Sequence, residues 1–241
     1  MSLRRLAVLL QSLALAACAY GAPIGEAGPD SPGRPTAATF RQLSIGVCPW
    51  LGADASATVI APGWIATNDH ASFLLPAPRF SSSGFDLAFA KVDGGDPLPL
   101  GTAHDGDRVW IYGVGCGTGG RFATGRVVVA NAKHCWGKPQ GAPEDAVDRL
   151  CADHGEGTAP GFIVAADIGP GFSGGPVVNA KGELVGIVQG MLGERIGSLP
   201  PGPMGFAYHI RDVVFAGWPV IIASAKTQPV ATASRSSVAA Q

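Results

Sequence analysis

Ser173 sits in Gly169-Pro170-Gly171-Phe172-Ser173-Gly174-Gly175-Pro176, a hydroxyl among four glycines. Glycine reaches backbone conformations closed to other residues, so such a loop can turn several N–H groups inward. Inward N–H groups beside a hydroxyl suit acyl transfer: the hydroxyl attacks a carbonyl, and the N–H groups hold the negative oxygen that forms. A serine hydroxyl needs a base, and the base needs a carboxylate to orient it. Upstream, Trp64-Ile65-Ala66-Thr67-Asn68-Asp69-His70-Ala71 sets His70 just after an apolar run. Gly84-Phe85-Asp86-Leu87-Ala88-Phe89 sets Asp86 at the start of another. The chain order is base, acid, nucleophile.

The elements that position these residues must be short. Gly (35) and Pro (20) are too frequent in 241 residues for a helical bundle, and 46% hydrophobic against 15% charged residues is too apolar for a disordered chain. Apolar runs of strand length are separated by Gly, Pro, Asn and Asp. They predict strands at Leu43–Cys48, Ala57–Ala61, Trp64–Thr67, Asp86–Val92 and Arg108–Tyr112. Further ones follow at Arg126–Ala130, Gly161–Ala165, Pro176–Asn179, Leu184–Gln189 and Gly205–Tyr208. Only Pro143 to Asp153 reads as mildly helical. The pattern predicts an all-β barrel or sandwich. A net charge of -1 argues against a nucleic-acid partner.

Taken together, these segments resemble the chymotrypsin-fold (trypsin-like) serine proteases, closest to the bacterial HtrA-like and glutamyl-endopeptidase-like branch without a PDZ domain. Thr67-Asn68-Asp69-His70 resembles T-x-x-H, Asp86-Leu87-Ala88 resembles D-L-A, and Gly171-Phe172-Ser173-Gly174-Gly175-Pro176 resembles G-x-S-G-G-P. Leu184–Val188 and Gly205–Ala207 resemble the strands flanking the specificity pocket. The resemblance runs from about Leu43 to Asp212. It implies two antiparallel six-stranded Greek-key barrels with the site in the cleft between them. It implies Ser173 as nucleophile, His70 as general base and then acid, and Asp86 as its orienting carboxylate. The N–H groups of Gly171 and Ser173 would form the oxyanion hole. Asp167, Gln189, Gly190 and Gly205 would surround the specificity pocket. No cofactor or metal is implied, and the substrates would be proteins or peptides.

The chain departs from the family pattern at named points. Phe172 stands where trypsin has the Asp that pairs with a newly freed N-terminus, so no activation of that kind is expected. Only 15 residues separate His70 from Asp86, so part of the first barrel is expected to be shortened, and Asp69 is an alternative carboxylate. Asp167, six residues before Ser173, would select Arg or Lys if it formed the pocket floor. His209 invites a glutamyl-specific reading instead.

Other readings compete. An inactive, protease-like binding scaffold fits the same pattern. An α/β-hydrolase esterase fits the Gly-rich serine but not the Pro and strand that follow it, nor the triad order. Gly115-Cys116-Gly117-Thr118-Gly119-Gly120 formally fits a dinucleotide fingerprint, yet a strand follows it rather than a helix.

Arg4 and Arg5, the apolar run Leu6–Ala17 and Leu15-Ala16-Ala17-Cys18 form an export signal. The last four residues resemble a lipobox, which implies lipidation of Cys18. Cleavage after Ala19 and simple secretion is the alternative. The expected organisation is a signal peptide over 1–17, a flexible tether over 18–40, barrels over 41–103 and 104–222, and a disordered tail over 223–241. The destination is the periplasm or, through the lipid, the outer membrane. Export favours disulfides; four cysteines allow three pairings, of which Cys135–Cys151 with Cys48–Cys116 is the favoured one. The Cys135–Cys151 bond closes a loop with 15 intervening residues, a constraint of about 3 kcal/mol in the chain-entropy model. Zinc held by His134, Cys135, Cys151 and His154 is a rival reading, although the spacing is not a standard finger.

Overall fold

The computed structural model describes residues 22–23, 39–45, 52–82, 85–115, 119–135, 158–193, 199 and 201–227. Cys18, Cys48, Cys116, Cys151 and His154 lie outside these residues, as do the side chains of His134 and Cys135. The lipidation, disulfide and zinc readings, and the helical reading of Pro143 to Asp153, therefore fall outside the described residues.

Two β-sheets make the frame. The first contains β2 (Phe40–Ile45), β3 (Ala53–Ala61), β4 (Trp64–Thr67), β5 (Arg79–Ser81) and β6 (Ala88–Lys91) in the order β2-β3-β4-β6-β5, all antiparallel. The second contains β7 (Arg108–Gly115), β8 (Gly119–Cys135), β9 (Thr158–Ala165), β10 (Pro176–Asn179), β11 (Leu184–Gly193) and β12 (Met204–His209). Its order is β8-β7-β10-β11-β12-β9, and β9 pairs again with β8, which closes a six-stranded barrel. Register shifts between Val127 and Val129 and between Val129 and Ala132 bend the long β8 around this closure.

Turn chemistry sets the registers. Between β10 and β11 the Asn179 side-chain oxygen accepts the N–H groups of Lys181 and Glu183, both at 3.0 Å. Gly182 takes the left-handed conformation (φ 79°) that ends the turn.

The ten predicted strands are present, most of them longer than expected. The first sheet has five described strands rather than six. Among its described residues, the interval between His70 and Asp86 holds one strand, the three-residue β5, which the sequence reading lacks. Within the expected tether, Ala22–Pro23 forms β1, paired with β8 at Phe122 and Arg121. After β12 the chain forms helix α1 (Ile210–Thr227), also unanticipated and running past residue 222. It packs on β11, β12 and β4. No helix among the described residues is long and apolar enough to cross a membrane.

One apolar cluster joins the two sheets. Ile60, Trp64, Leu87 and Phe89 of the first meet Ile187, Phe206 and Tyr208 of the second, with Ile210 and Val213 of α1. Burial of these large side chains, each worth about 1.5–3 kcal/mol, holds the sheets at a fixed distance across the site.

Candidate active site

His70 lies on a 3₁₀ turn (Asp69–Leu74) directly after β4, and Asp86 lies two residues before β6. β4 and β6 pair antiparallel, ending with Thr67 opposite Ala88. The chain ends beyond that pair therefore face each other, and a 15-residue interval suffices to bring the two side chains together. Asp86 Oδ2 accepts from His70 Nδ1 at 2.6 Å, and Asp86 Oδ1 accepts the His70 backbone N–H at 2.9 Å. The two bonds fix both groups of the contact: the carboxylate is held at each oxygen, and Nδ1 carries the proton, leaving Nε2 as the basic nitrogen. Asp69, the alternative carboxylate, is instead bonded to the Ser81 hydroxyl.

Electrostatics follow from this geometry. The hydrogen bond that His70 gives to Asp86 raises the His70 pKa above its ordinary value; burial opposes this, and the charges of Asp86 and Asp69 reinforce it. For Asp86, burial pushes the pKa up. The bonds from the His70 side chain and backbone, the His70 charge and the Gln189 amide together outweigh it, and the carboxyl falls below its usual value.

Ser173 lies in the loop between β9 and β10, and the first sheet grips that loop. Ser56 of β3 gives its N–H to the Ser173 carbonyl at 2.8 Å and its hydroxyl to the Gly171 carbonyl at 2.6 Å. Thr58, two residues on and therefore on the same strand face, gives its hydroxyl to the Gly174 carbonyl at 2.8 Å. Thr67 of β4 bonds the Ser56 carbonyl at 2.6 Å. The approach is close enough to require glycine. A Cβ on Gly174 (φ 82°) would lie 2.0 Å from the Ser56 carbonyl oxygen, and one on Gly171 (φ 95°) 2.0 Å from that of Val114. Among the described residues, the N–H groups of Gly171 and Ser173 have no hydrogen-bond acceptor. The Ser173 hydroxyl donates to the Gln189 carbonyl at 3.3 Å.

A family profile described as the trypsin-like peptidase domain matches residues 55–187, more than half of the chain and all three of these residues. The chain belongs to the trypsin-like peptidase family. Solved serine proteases share its fold. The active form of the Rv3671c protease from M. tuberculosis is 18% identical with a TM-score of 0.53, covering 75% of this chain and 80% of its own. The inactive form is 18% identical with a TM-score of 0.51, covering 76% and 87%. The HtrA-type protease AlgW, solved with a tripeptide, is 20% identical with a TM-score of 0.53, covering 78% of this chain and 61% of its own. No curated protein matches the sequence.

Within this peptidase-family frame the remaining predicted residues divide. Gly190 and Gly205 lie on paired segments of β11 and β12, Gly190 opposite Phe206 and Gly205 opposite Met191. Gln189, expected to line the pocket, turns its amide to Asp86 Oδ2 at 3.4 Å and its carbonyl to Ser173. Asp167 is exposed, and the next residue, Ile168, points inward. His209 pairs with Gly186, away from Gln189, with its ring 5.3 Å from that of Phe162. Burial lowers its pKa, against the pull of Asp212 and bonds to the Ala130 and Gly161 backbones.

Several positioning residues escape the motif search. Ser56 and Thr58 are buried polar residues at alternate positions of a strand whose other buried residues are apolar, a signal present in Ala55-Ser56-Ala57-Thr58-Val59. The Asn68 amide bonds the Asp86 carbonyl at 3.1 Å. Tyr208, in a strand read only as apolar, bonds Asp86 from the second barrel.

Proposed function

We propose that this chain is an exported serine endopeptidase that cleaves peptide bonds through an acyl-enzyme on Ser173. The observation that carries the reading is the two-bond contact between His70 and Asp86, which leaves a basic Nε2 on a half-exposed imidazole. Ser173 Oγ attacks the scissile carbonyl carbon while His70 Nε2 takes its proton. The new oxyanion is held by the N–H groups of Gly171 and Ser173, which have no competing acceptor among the described residues. Collapse breaks the C–N bond, and His70 gives its proton to the leaving amine. Water, deprotonated by His70, then attacks the acyl-enzyme and frees Ser173. Asp86 stays ionised throughout, as its lowered pKa supports. Export rests on the segment from Arg4 to Cys18, with lipidation of Cys18 as the finer proposal.

The bond from the Ser173 hydroxyl to the Gln189 carbonyl favours a second reading, a folded but inactive scaffold. A fluorophosphonate probe separates the two. Intact mass should show one adduct on the wild type and none on Ser173→Ala or His70→Ala. Folded wild type that stays unlabelled would overturn the protease in favour of the scaffold.

A further inference from the structure

Helix α1 has two faces. Ile210, Val213 and Gly217 are buried, and Val214, Val220 and Ile221 pack beside them against the cluster that joins the sheets. Arg211, Phe215, Trp218 and Ile222 follow one another at steps of four, three and four, which lines them up on the other side of the helix. All four are exposed, Phe215 to 80%, Trp218 to 51% and Ile222 to 37%. A single apolar side chain in water is ordinary; three neighbours in a row form a stripe. From Val213 to Ala223 the only side chain with a polar atom is the Trp218 indole.

A helix that is apolar on every side is either enclosed by protein or in contact with lipid, and α1 is not enclosed. Its apolar run is about 16 Å long at 1.5 Å per residue, roughly half of what a span requires. It suits the plane of a membrane interface rather than a crossing. The three exposed side chains together present roughly 300 Å², well short of the ~800 Å² per partner that a stable protein pair buries, so a second copy fits poorly. Charge decides the kind of lipid. Arg211 is exposed at the start of the stripe, and after Asp212 the sequence holds Lys226 and Arg235 and no acid. Asp212 itself lies about a quarter turn from the stripe, within electrostatic reach of His209. The groove beside Trp218 carries Lys91 and Asp93, one charge of each sign.

We infer that α1 is a membrane-contact helix that lies in the interface of a bilayer bearing anionic headgroups. Phe215, Trp218 and Ile222 enter the boundary between headgroups and acyl chains, where an indole keeps its N–H wet and its ring dry. Arg211 stays among the phosphates while its stem follows the apolar surface. The contact requires neither a lipid on Cys18 nor the activity of Ser173.

The test uses the secreted form that begins at Tyr20, so that no attached lipid contributes. Its binding is read by flotation with vesicles of phosphatidylcholine, alone or mixed with phosphatidylglycerol. The wild type should bind the mixed vesicles about ten-fold more tightly than the neutral ones, and less as salt is raised. Phe215→Ser combined with Trp218→Ser should weaken binding to the mixed vesicles by about ten-fold or more, and Arg211→Glu by about three-fold. Thermal unfolding checks that each variant folds. Should the double variant not fold, Trp218→Phe decides: lipid brominated in its acyl chains should quench the wild type's fluorescence, and Trp218→Phe should stay bound and lose most of that quenching. Wild type that does not float, that binds both vesicles equally, or whose binding survives in the folded double variant overturns the proposal, as does quenching unchanged in Trp218→Phe. A wild-type dimer that the double variant splits overturns it too, and assigns the stripe to a second copy.

Discussion

The hydroxyl of Tyr208, on β12 of the closed barrel, accepts the backbone N–H of Asp86, on the opposite sheet, at 3.2 Å. Tyr208 is fully buried and packs its ring edge-on against Phe85 and Phe206. The acid of one sheet is thus held by a side chain of the other, while Asn68 holds the carbonyl of the same residue. Tyr208→Phe keeps the ring and removes the acceptor. A buried N–H left without a partner costs about 1–3 kcal/mol, so urea denaturation should show a loss of that order. Because Asp86 would be less firmly placed, kcat on a peptide should fall more than KM rises. Full retention of both stability and kcat would contradict the clamp.

The His70–Asp86 contact fixes how activity depends on pH. His70 must be neutral to accept the Ser173 proton, and its pKa is raised by Asp86. The rate should therefore rise with pH through a midpoint above the ordinary histidine value of about 6.5. Asp86→Asn removes the charge and no longer enforces the proton on Nδ1, so the midpoint should drop and kcat should fall by up to about 10⁴. A pH–rate profile of kcat/KM for both proteins checks the direction.

The same pair links stability to pH with definite signs. Protonated His70 favours the fold, and that contribution is complete below the unfolded histidine pKa and lost as pH rises through the raised folded value. Ionised Asp86 favours it above the unfolded aspartate pKa, and this part is lost as pH falls through the lowered folded value. Between the two unfolded pKa values both terms are present. Asp86→Asn should flatten the stability curve at each end, measured as the urea midpoint against pH.

The β3 contact with the serine loop is a matter of distance. Replacing Gly174 with Ala would put a methyl group 2.0 Å from the Ser56 carbonyl and 2.3 Å from Thr67 Oγ1, at a φ of 82° that L-residues rarely adopt. Backbone lies on one side, so no side-chain rotation relieves it. Gly174→Ala should abolish folding or labelling. Ser56→Ala removes only one hydroxyl bond to Gly171 and should cost about 1–3 kcal/mol, with slower labelling of Ser173. Both are read from thermal unfolding and probe kinetics.

What could be read in the sequence tracks how local its cause is. The strands were legible because their apolar runs are bounded by Gly, Pro and Asn, and His70, Asp86 and Ser173 because each sits in its own short motif. The partners of those residues were not, because Ser56, Thr58 and Tyr208 act across more than a hundred residues of chain and carry no motif. Helix α1 was hidden for another reason. Gly217 and Pro219 interrupt its pattern, yet Gly217 is where the Phe89 ring approaches, within 2.8 Å of a Cβ position. Packing between sheet and helix overrode propensity there. Counting six residues back from Ser173 reaches Asp167, which is exposed, while Ile168 one step further along is buried; burial of this kind is set by the tertiary fold and not by spacing.

Phe172 tests whether the serine loop is preformed. Trypsin has an Asp at this position that needs a freed N-terminus, whereas here a fully buried phenyl ring inserts into the core of the closed barrel. It lies flat enough on Gly113 that a Cβ there would meet Phe172 Cγ at 2.6 Å. An apolar anchor needs no partner charge, so the loop should hold its shape whatever the N-terminal end of the chain. Trimming the chain as far as residue 21 should leave the rate of fluorophosphonate labelling unchanged. Phe172→Ala should cost about 3–5 kcal/mol and slow labelling, because the loop loses an aromatic side chain buried in the core directly beside Ser173. Phe172→Asp should do worse, burying a carboxylate among Val109, Ile111 and Phe162 with nothing to pair it. If labelling instead required cleavage to a particular N-terminus, the anchor would not be sufficient, and an ion pair of the trypsin kind would have to be sought elsewhere in the loop.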